Sequence, residues 1–207
     1  MAKNEKKWVG VFMLVALLFF SSAWADKFSA ADKFKEGVTA YNLTDYATAL
    51  SIFGKLASDG YSTAQFNLGV MNNKGQGVPQ DYAEAIKWWR LAAAQGDADA
   101  QFSLGIMYAK GKGVVQDYAE AVKWFRLAAA QGDSGGQLKL GVMYERGQGV
   151  IQDYVRAYMW ANIAATGGDP DAANNRDMIA GKMTPMQIAE SQKMARDCLA
   201  KNFKGCN

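Results

Sequence analysis

The chain has 207 residues, half of them apolar, with 23 Lys plus Arg against 20 Asp plus Glu and no histidine. That apolar content excludes a disordered chain. The missing imidazole excludes Ser-His-Asp and Cys-His catalysis, His-containing zinc sites and histidine proton shuttles.

Two cysteines cannot build a structural zinc site, and neither a phosphate-loop signature nor a G-x-G-x-x-G run occurs. Binding is what remains, with no cofactor and no metal expected. At the N-terminus, Lys3, Lys6 and Lys7 precede an apolar run from Trp8 to Phe20. Ser21-Ser22-Ala23-Trp24-Ala25 then ends in an A-x-A site. This order reads as a secretory signal peptide over 1–25, cut before Asp26. Thirteen apolar residues fall short of the roughly 18 to 20 that cross a bilayer, so no stable membrane insertion is expected after cleavage, and the location is periplasmic or secreted. Three of the 23 cations and one of the 20 acids lie in this segment, so the remainder carries about +1. Nucleic-acid binding loses its electrostatic argument.

Residues 26–62 contain Phe34, Gly37, Tyr41, Tyr46, Ala49 and Phe53, which predict a helix hairpin over 28–60. An internal repeat follows. Ala64-Gln65-Phe66-Asn67-Leu68-Gly69-Val70-Met71 returns 36 residues later as Ala100 to Met107, and again as Gly136 to Met143. Asp81-Tyr82-Ala83-Glu84-Ala85 returns at Asp117 and, more loosely, at Asp153, with aromatics following at Trp88, Trp124 and Tyr158. A period between 20 and 50 residues marks a solenoid or array. Units are set at 63–98, 99–134 and 135–171.

Within a unit, Ala64, Leu68 and Met71 share one helix face and Ala85, Trp88 or Trp89 and Ala92 another. Each unit is therefore a helix hairpin. Lys74-Gly75-Gln76-Gly77-Val78 supplies two glycines where the chain leaves the first helix with positive φ. Asp81 caps the second helix, with Glu84 completing a D-x-x-E capping box, and Gly96, Gly132 and Gly168 end the second helices. Asp97 caps the next helix. Asp81, Asp117 and Asp153 are thus caps, not catalytic acids or calcium ligands. Trp88, Trp89, Trp124 and Trp160 fall in phase with the small core residues and are assigned to the core.

The units resemble the Sel-one-like repeat family, whose pattern runs A-x-x-L-G-x-x-Y, G-x-G-V, D-Y, A-x-x-W and A-A-x-x-G. Gly105, Tyr108, Gly111, Gly113, Val114, Asp117, Tyr118, Trp124 and Gly132 form the fullest copy. Asn72 stands where Tyr108 and Tyr144 stand, and Gly136 replaces a small Ala, which predicts looser packing there. The hairpin at 28–60 is similar to a tetratricopeptide unit lacking the Gly-loop extension. The resemblance implies an all-α fold, an α-α superhelix or solenoid of antiparallel, tetratricopeptide-like hairpins. Residues 172–207 form the terminal cap: one helix starts near Ala172, and Thr184-Pro185-Met186-Gln187 opens a last helix over about 185–201. In an oxidising compartment Cys198 and Cys206 pair as a local disulfide.

If tetratricopeptide geometry carries over, first helices line a concave groove that holds a segment of a protein partner. Its positions are Phe34, Val38, Tyr41 and Asn42, then Phe66, Val70, Asn73 and Lys74. Phe102, Ile106, Ala109 and Lys110 follow, then Leu138, Val142, Glu145 and Arg146. Lys74, Lys110 and Arg146 either meet an acidic segment or only complement the helix dipole. The Phe column is either groove floor or inter-hairpin core. The resemblance implies a non-enzymatic adaptor with a protein partner. The alternatives are a peptidoglycan or glycan reader using exposed aromatics, and a cell-wall or β-lactam hydrolase. Cysteine pairs within each repeat and an S-x-x-K motif, expected for the hydrolase, are absent from the sequence.

Overall fold

The computed structural model describes residues 29–167 and 170–206. The leader expected over 1–25 and the helix-ending role of Gly168 lie outside the described residues. Among the described residues every regular element is a helix. The helices are α1 (29–42), α2 (Tyr46–Ser58), α3 (Ser62–Lys74), α4 (Tyr82–Ala94) and α5 (Ala98–Lys110). They continue as α6 (Tyr118–Ala129), α7 (Ser134–Arg146), α8 (Tyr154–Ala165), α9 (Pro170–Ala180) and α10 (Pro185–Ala200). The chain divides at Gly60 into two compact units, α1 with α2 and α3 through α10.

In the first unit the hairpin is short because Asp45 caps α2 directly, its side chain accepting from the Thr48 N–H at 3.1 Å. Gly37 lets the helices close: a Cβ there would lie 2.8 Å from Cε1 of the fully buried Phe53.

The second unit repeats this device with a longer loop. Helices α3 and α4, α5 and α6, and α7 and α8 pair as hairpins, and α4 packs on α5 and α6 on α7. The first helices end on Gly75, Gly111 and Gly147 in the left-handed conformation. Asp81, Asp117 and Asp153 cap the second helices, each accepting a backbone N–H three residues on at 2.9 Å. The D-x-x-E box forms only by half. Glu84 and Glu120 turn instead to Lys87 and Lys123, at 2.7 and 2.8 Å, because a lysine one turn on offers the carboxylate a charged partner on the exposed face.

One core joins Ala85, Ile86, Trp89 and Ala92 to Ala100, Leu104 and Met107. A second runs from Ala121, Val122 and Phe125 through Leu140, Met143, Trp160 and Ile163 to Ile179 and Ala195. Trp89 and Trp160 are buried as expected and Trp124, though half-buried, packs against the first core; Trp88 is only half-buried. Successive helical residues are turned by about 100°, so when Trp89 and Phe125 point inward their preceding neighbours sit on the flank. The looser packing expected at Gly136 is also not found. A Cβ there would lie 3.0 Å from Ala128 Cβ and 3.1 Å from the Phe125 carbonyl oxygen, so the glycine permits a closer approach of α7 to α6.

Helix α10 opens with the complete capping box, the Gln187 N–H donating to Thr184 and the Gln187 side chain accepting from the Thr184 N–H. It packs on α8, where the buried Ser191 hydroxyl donates to the Val155 carbonyl. Glu190, Lys193, Arg196 and Asp197 remain exposed on its outer face, as the end of a repeat array requires. Cys198 and Cys206 are disulfide-bonded. The bond turns the tail back, with Phe203 lying over Gly132.

Asp97 and Asp133 cap α5 and α7, accepting from Ala100 at 2.8 Å and Gly136 at 2.6 Å. Burial nevertheless holds both carboxyls above their ordinary pKa, outweighing the cap bond, and Asp99 adds repulsion. The folded state therefore binds these protons more tightly than the unfolded state, and stability from this source is present below 3.8 and lost as pH rises through the raised value. Asp153 runs the other way: burial pushes it up, but the Arg156 N–H and guanidinium prevail and lower it. Asn is an equally good cap and carries no charge. We expect Asp97→Asn with Asp133→Asn to keep or raise Tm at pH 7. Thermal melts from about pH 4 to about pH 7 should also show a smaller fall in stability with rising pH than in the parent.

Candidate functional site

Each first helix presents two half-buried apolar residues beside a cation in its last turn. In α3 these are Phe66, Val70 and Lys74; in α5, Phe102, Ile106 and Lys110; in α7, Leu138, Val142 and Arg146. The three cations are exposed. The aromatic column is both packed and solvent-accessible. Phe102 lies 5.9 Å from Phe125, centroid to centroid, and touches Gly135 of the next repeat, yet keeps a half-exposed edge. Asn73 and Ala109 are half-buried.

Glu145 is not an open groove position. Its carboxylate bonds Lys182 Nζ at 2.8 Å, and that bond, with the attraction of the charge, holds the Lys182 ammonium above its ordinary pKa. Phe34, Val38, Tyr41 and Asn42 belong to the first unit. There Phe34 packs on Phe53 at 5.5 Å and Tyr41 on Tyr46 at 5.6 Å, Val38 is half-buried and Asn42 is exposed.

Polar links that the sequence reading did not assign hold these rows in register. Gln65, Gln101 and Gln137 are buried at the same place in successive repeats. Gln95 donates to Gln65 and Gln131 to Gln101, each at 2.8 Å, while Gln101 donates back to the Ala93 carbonyl. Arg90 donates to the Tyr108 hydroxyl of the following repeat at 2.6 Å, and Arg126 to that of Tyr144 at 2.8 Å. Gln80, Gln116 and Gln152 donate to carbonyls of Asn73, Ala109 and Glu145 near the ends of the first helices. The available signal was their shared spacing of 36 residues. Among the described residues no cluster of three His, Cys, Asp or Glu is placed to hold a metal ion.

Stacked hairpins with in-register polar links and a periodic, half-exposed face define a helical-repeat protein. Residues 62–97, 98–133 and 134–169 each match the Sel1 repeat model, more than half of the chain, and the protein belongs to the Sel1 repeat family. Among solved structures, it is similar to a protective antigen with an SLR fold present in uropathogenic Escherichia coli strains. That likeness has a TM-score of 0.76 and 31% identity, over 88% of this chain and 40% of the other. It is also similar to a Sel1 repeat protein from Oxalobacter formigenes, with a TM-score of 0.62 and 36% identity, over 69% of this chain and 60% of the other. The chain thus spans less than two thirds of either relative. No curated protein sequence matches it significantly.

Proposed function

We propose that this Sel1 repeat protein is an exported, non-enzymatic scaffold that holds a segment of a protein partner against its first helices. Sel1 repeat proteins generally serve as protein-interaction scaffolds. The observation that carries the reading is the recurrence of two half-buried apolar residues and one exposed cation per repeat on α3, α5 and α7. Such a face offers apolar contact area for affinity and a charge row for orientation. Export to the periplasm or beyond rests on the Lys3 to Ala25 leader pattern and is supported by the Cys198–Cys206 disulfide. Among the described residues no helix is long and apolar enough to cross a membrane.

The test is crosslinking in intact bacterial cells. The parent chain, processed so that it begins at Asp26, should trap a defined partner. Lys74→Glu with Lys110→Glu should lower that yield at least fivefold, since reversed charges repel what the lysines attract, while Tm falls by only a few degrees, the cost of reversing two exposed helix-end charges. Equal yield from the double variant would overturn the role given to this face. Sedimentation with isolated peptidoglycan sacculi, with no crosslinked protein, would replace the scaffold by a glycan reader.

A further inference from the structure

The cation row is not uniform along the repeats. Between the first two repeats lies an open cleft of about 460 Å³, within the roughly 300–1,000 Å³ range of ligand sites, onto which Lys74, Lys110 and Lys112 converge. Ile106, Met107 and Tyr82 supply an apolar and aromatic wall, and no Asp or Glu lines the cleft. Lys112 Nζ sits over the Tyr82 ring, 5.3 Å from its centroid.

The last repeat holds the same lysine-on-tyrosine arrangement already supplied with an acid. Lys182 Nζ lies over the Tyr154 ring at 5.7 Å, and Glu145 meets that ammonium at 2.8 Å. In the repeat register Glu145 corresponds to Asn73, which lines the first cleft. The protein's own carboxylate therefore occupies the last of these places and is replaced by a neutral amide in the first. Lys112 is itself a departure: Gln76 and Gln148 stand at its position in the neighbouring repeats. Lys112 thus adds a cation to a cleft whose lining carries no carboxylate, which favours an incoming anion.

From these contrasts we infer that the cleft between the first and second Sel1 repeats is the seat of an acidic, partly apolar peptide segment of the partner. One of its carboxylates takes, beside Lys112, the part that Glu145 plays beside Lys182. A peptide fits better than a free inorganic anion because part of the wall is apolar: Ile106, Met107 and Tyr82 reward a side chain such as Leu, which an inorganic ion lacks. This inference rests on the scaffold reading and assigns its partner a chemistry.

The test uses fluorescence anisotropy with the purified chain and a labelled octapeptide alternating Glu and Leu. The acidic peptide should bind and weaken about tenfold between about 50 mM and about 300 mM salt, as screening shortens the reach of the charges. The same peptide with Gln for every Glu should bind at least tenfold more weakly. Lys110→Gln with Lys112→Gln should lower affinity for the acidic peptide at least tenfold, whereas Arg146→Gln should change it less than twofold. Gln at 112 is what the neighbouring repeats carry, so the fold tolerates it. The seat is overturned if the Lys110 and Lys112 variant binds like the parent, if the Gln peptide binds equally well, or if only anionic phosphatidylglycerol vesicles bind. A chain that still traps its partner in cells but ignores the acidic peptide would sink this inference and leave the scaffold reading standing.

Discussion

Gly149→Ala is expected to destabilise the protein by about 2 to 5 kcal/mol and to lower Tm by roughly 5 to 15 °C. Two separate costs meet there. Gly149 has φ of 71°, where an L side chain crowds its own backbone, at about 1 to 2 kcal/mol. A Cβ would also lie 2.3 Å from the Tyr118 carbonyl oxygen and 2.4 Å from its carbon. These are backbone atoms in the first turn of α6, which cannot swing aside as a side chain would. Gly113 stands in the same relation to Tyr82 in the first turn of α4. The second loop glycine thus seats one repeat on the backbone of the one before it, and this contact helps fix the step between repeats. Gly96→Ala separates the two costs, because Gly96 has φ of 89° but nothing within 4 Å of its Cβ direction. It should lose only the conformational part, about 1 to 2 kcal/mol. Equal losses in the two variants, measured by calorimetry, would mean that the close approach contributes nothing.

The hairpins were legible because their punctuation is local. A helix that ends on Gly75 in the left-handed region, or starts on Asp81 with its carboxylate on the Glu84 N–H, is specified by residues within one turn of each other. The disulfide was legible for a different reason: the chain has two cysteines and they lie close in sequence. What escaped were contacts between distant residues and between helices. Arg90 to Tyr108 spans 18 residues, Gln95 to Gln65 spans 30, and Lys182 to Glu145 spans 37 and joins a repeat to the tail beyond it. No turn chemistry announces such pairs. The choice between Trp88 and Trp89 escaped because both satisfy a coarse helical spacing, and only the rotation of α4 against α3 decides which one enters the core. In the site itself, the periodic cations were visible in the sequence. The pairing of Glu145 with Lys182 was not, nor was the contrast it makes with Asn73.

Phe125→Ala is expected to cost about 3 to 5 kcal/mol, the usual loss for removing a fully buried aromatic ring, and its partner mutation distinguishes shape from bulk. Phe125 is fully buried, and its ring lies where a side chain on Gly105 would be: a Cβ at Gly105 would sit 2.5 Å from Phe125 Cε1. Trp89 stands in the same relation to Gly69, at 2.4 Å, and also donates its indole N–H to the Phe66 carbonyl at 3.1 Å. In the first two repeats the glycine of the first helix is therefore the socket for the aromatic of the second, whereas Gly141 of the third repeat faces Ala157 and Ala161 instead. Gly105→Ala alone should destabilise by about 1 to 3 kcal/mol, since a well-packed ring must move to admit a methyl group. In the Phe125→Ala background the socket is vacant, and the same change should become neutral or stabilising. Alanine fills part of the void and gains about 1 kcal/mol of helix propensity over glycine. The two changes should thus be coupled by about 2 to 3 kcal/mol in a double-mutant cycle measured by urea unfolding. Simple additivity would show that Gly105 serves its helix alone, and the ring-in-socket account of how the first two repeat hairpins close would fail with it.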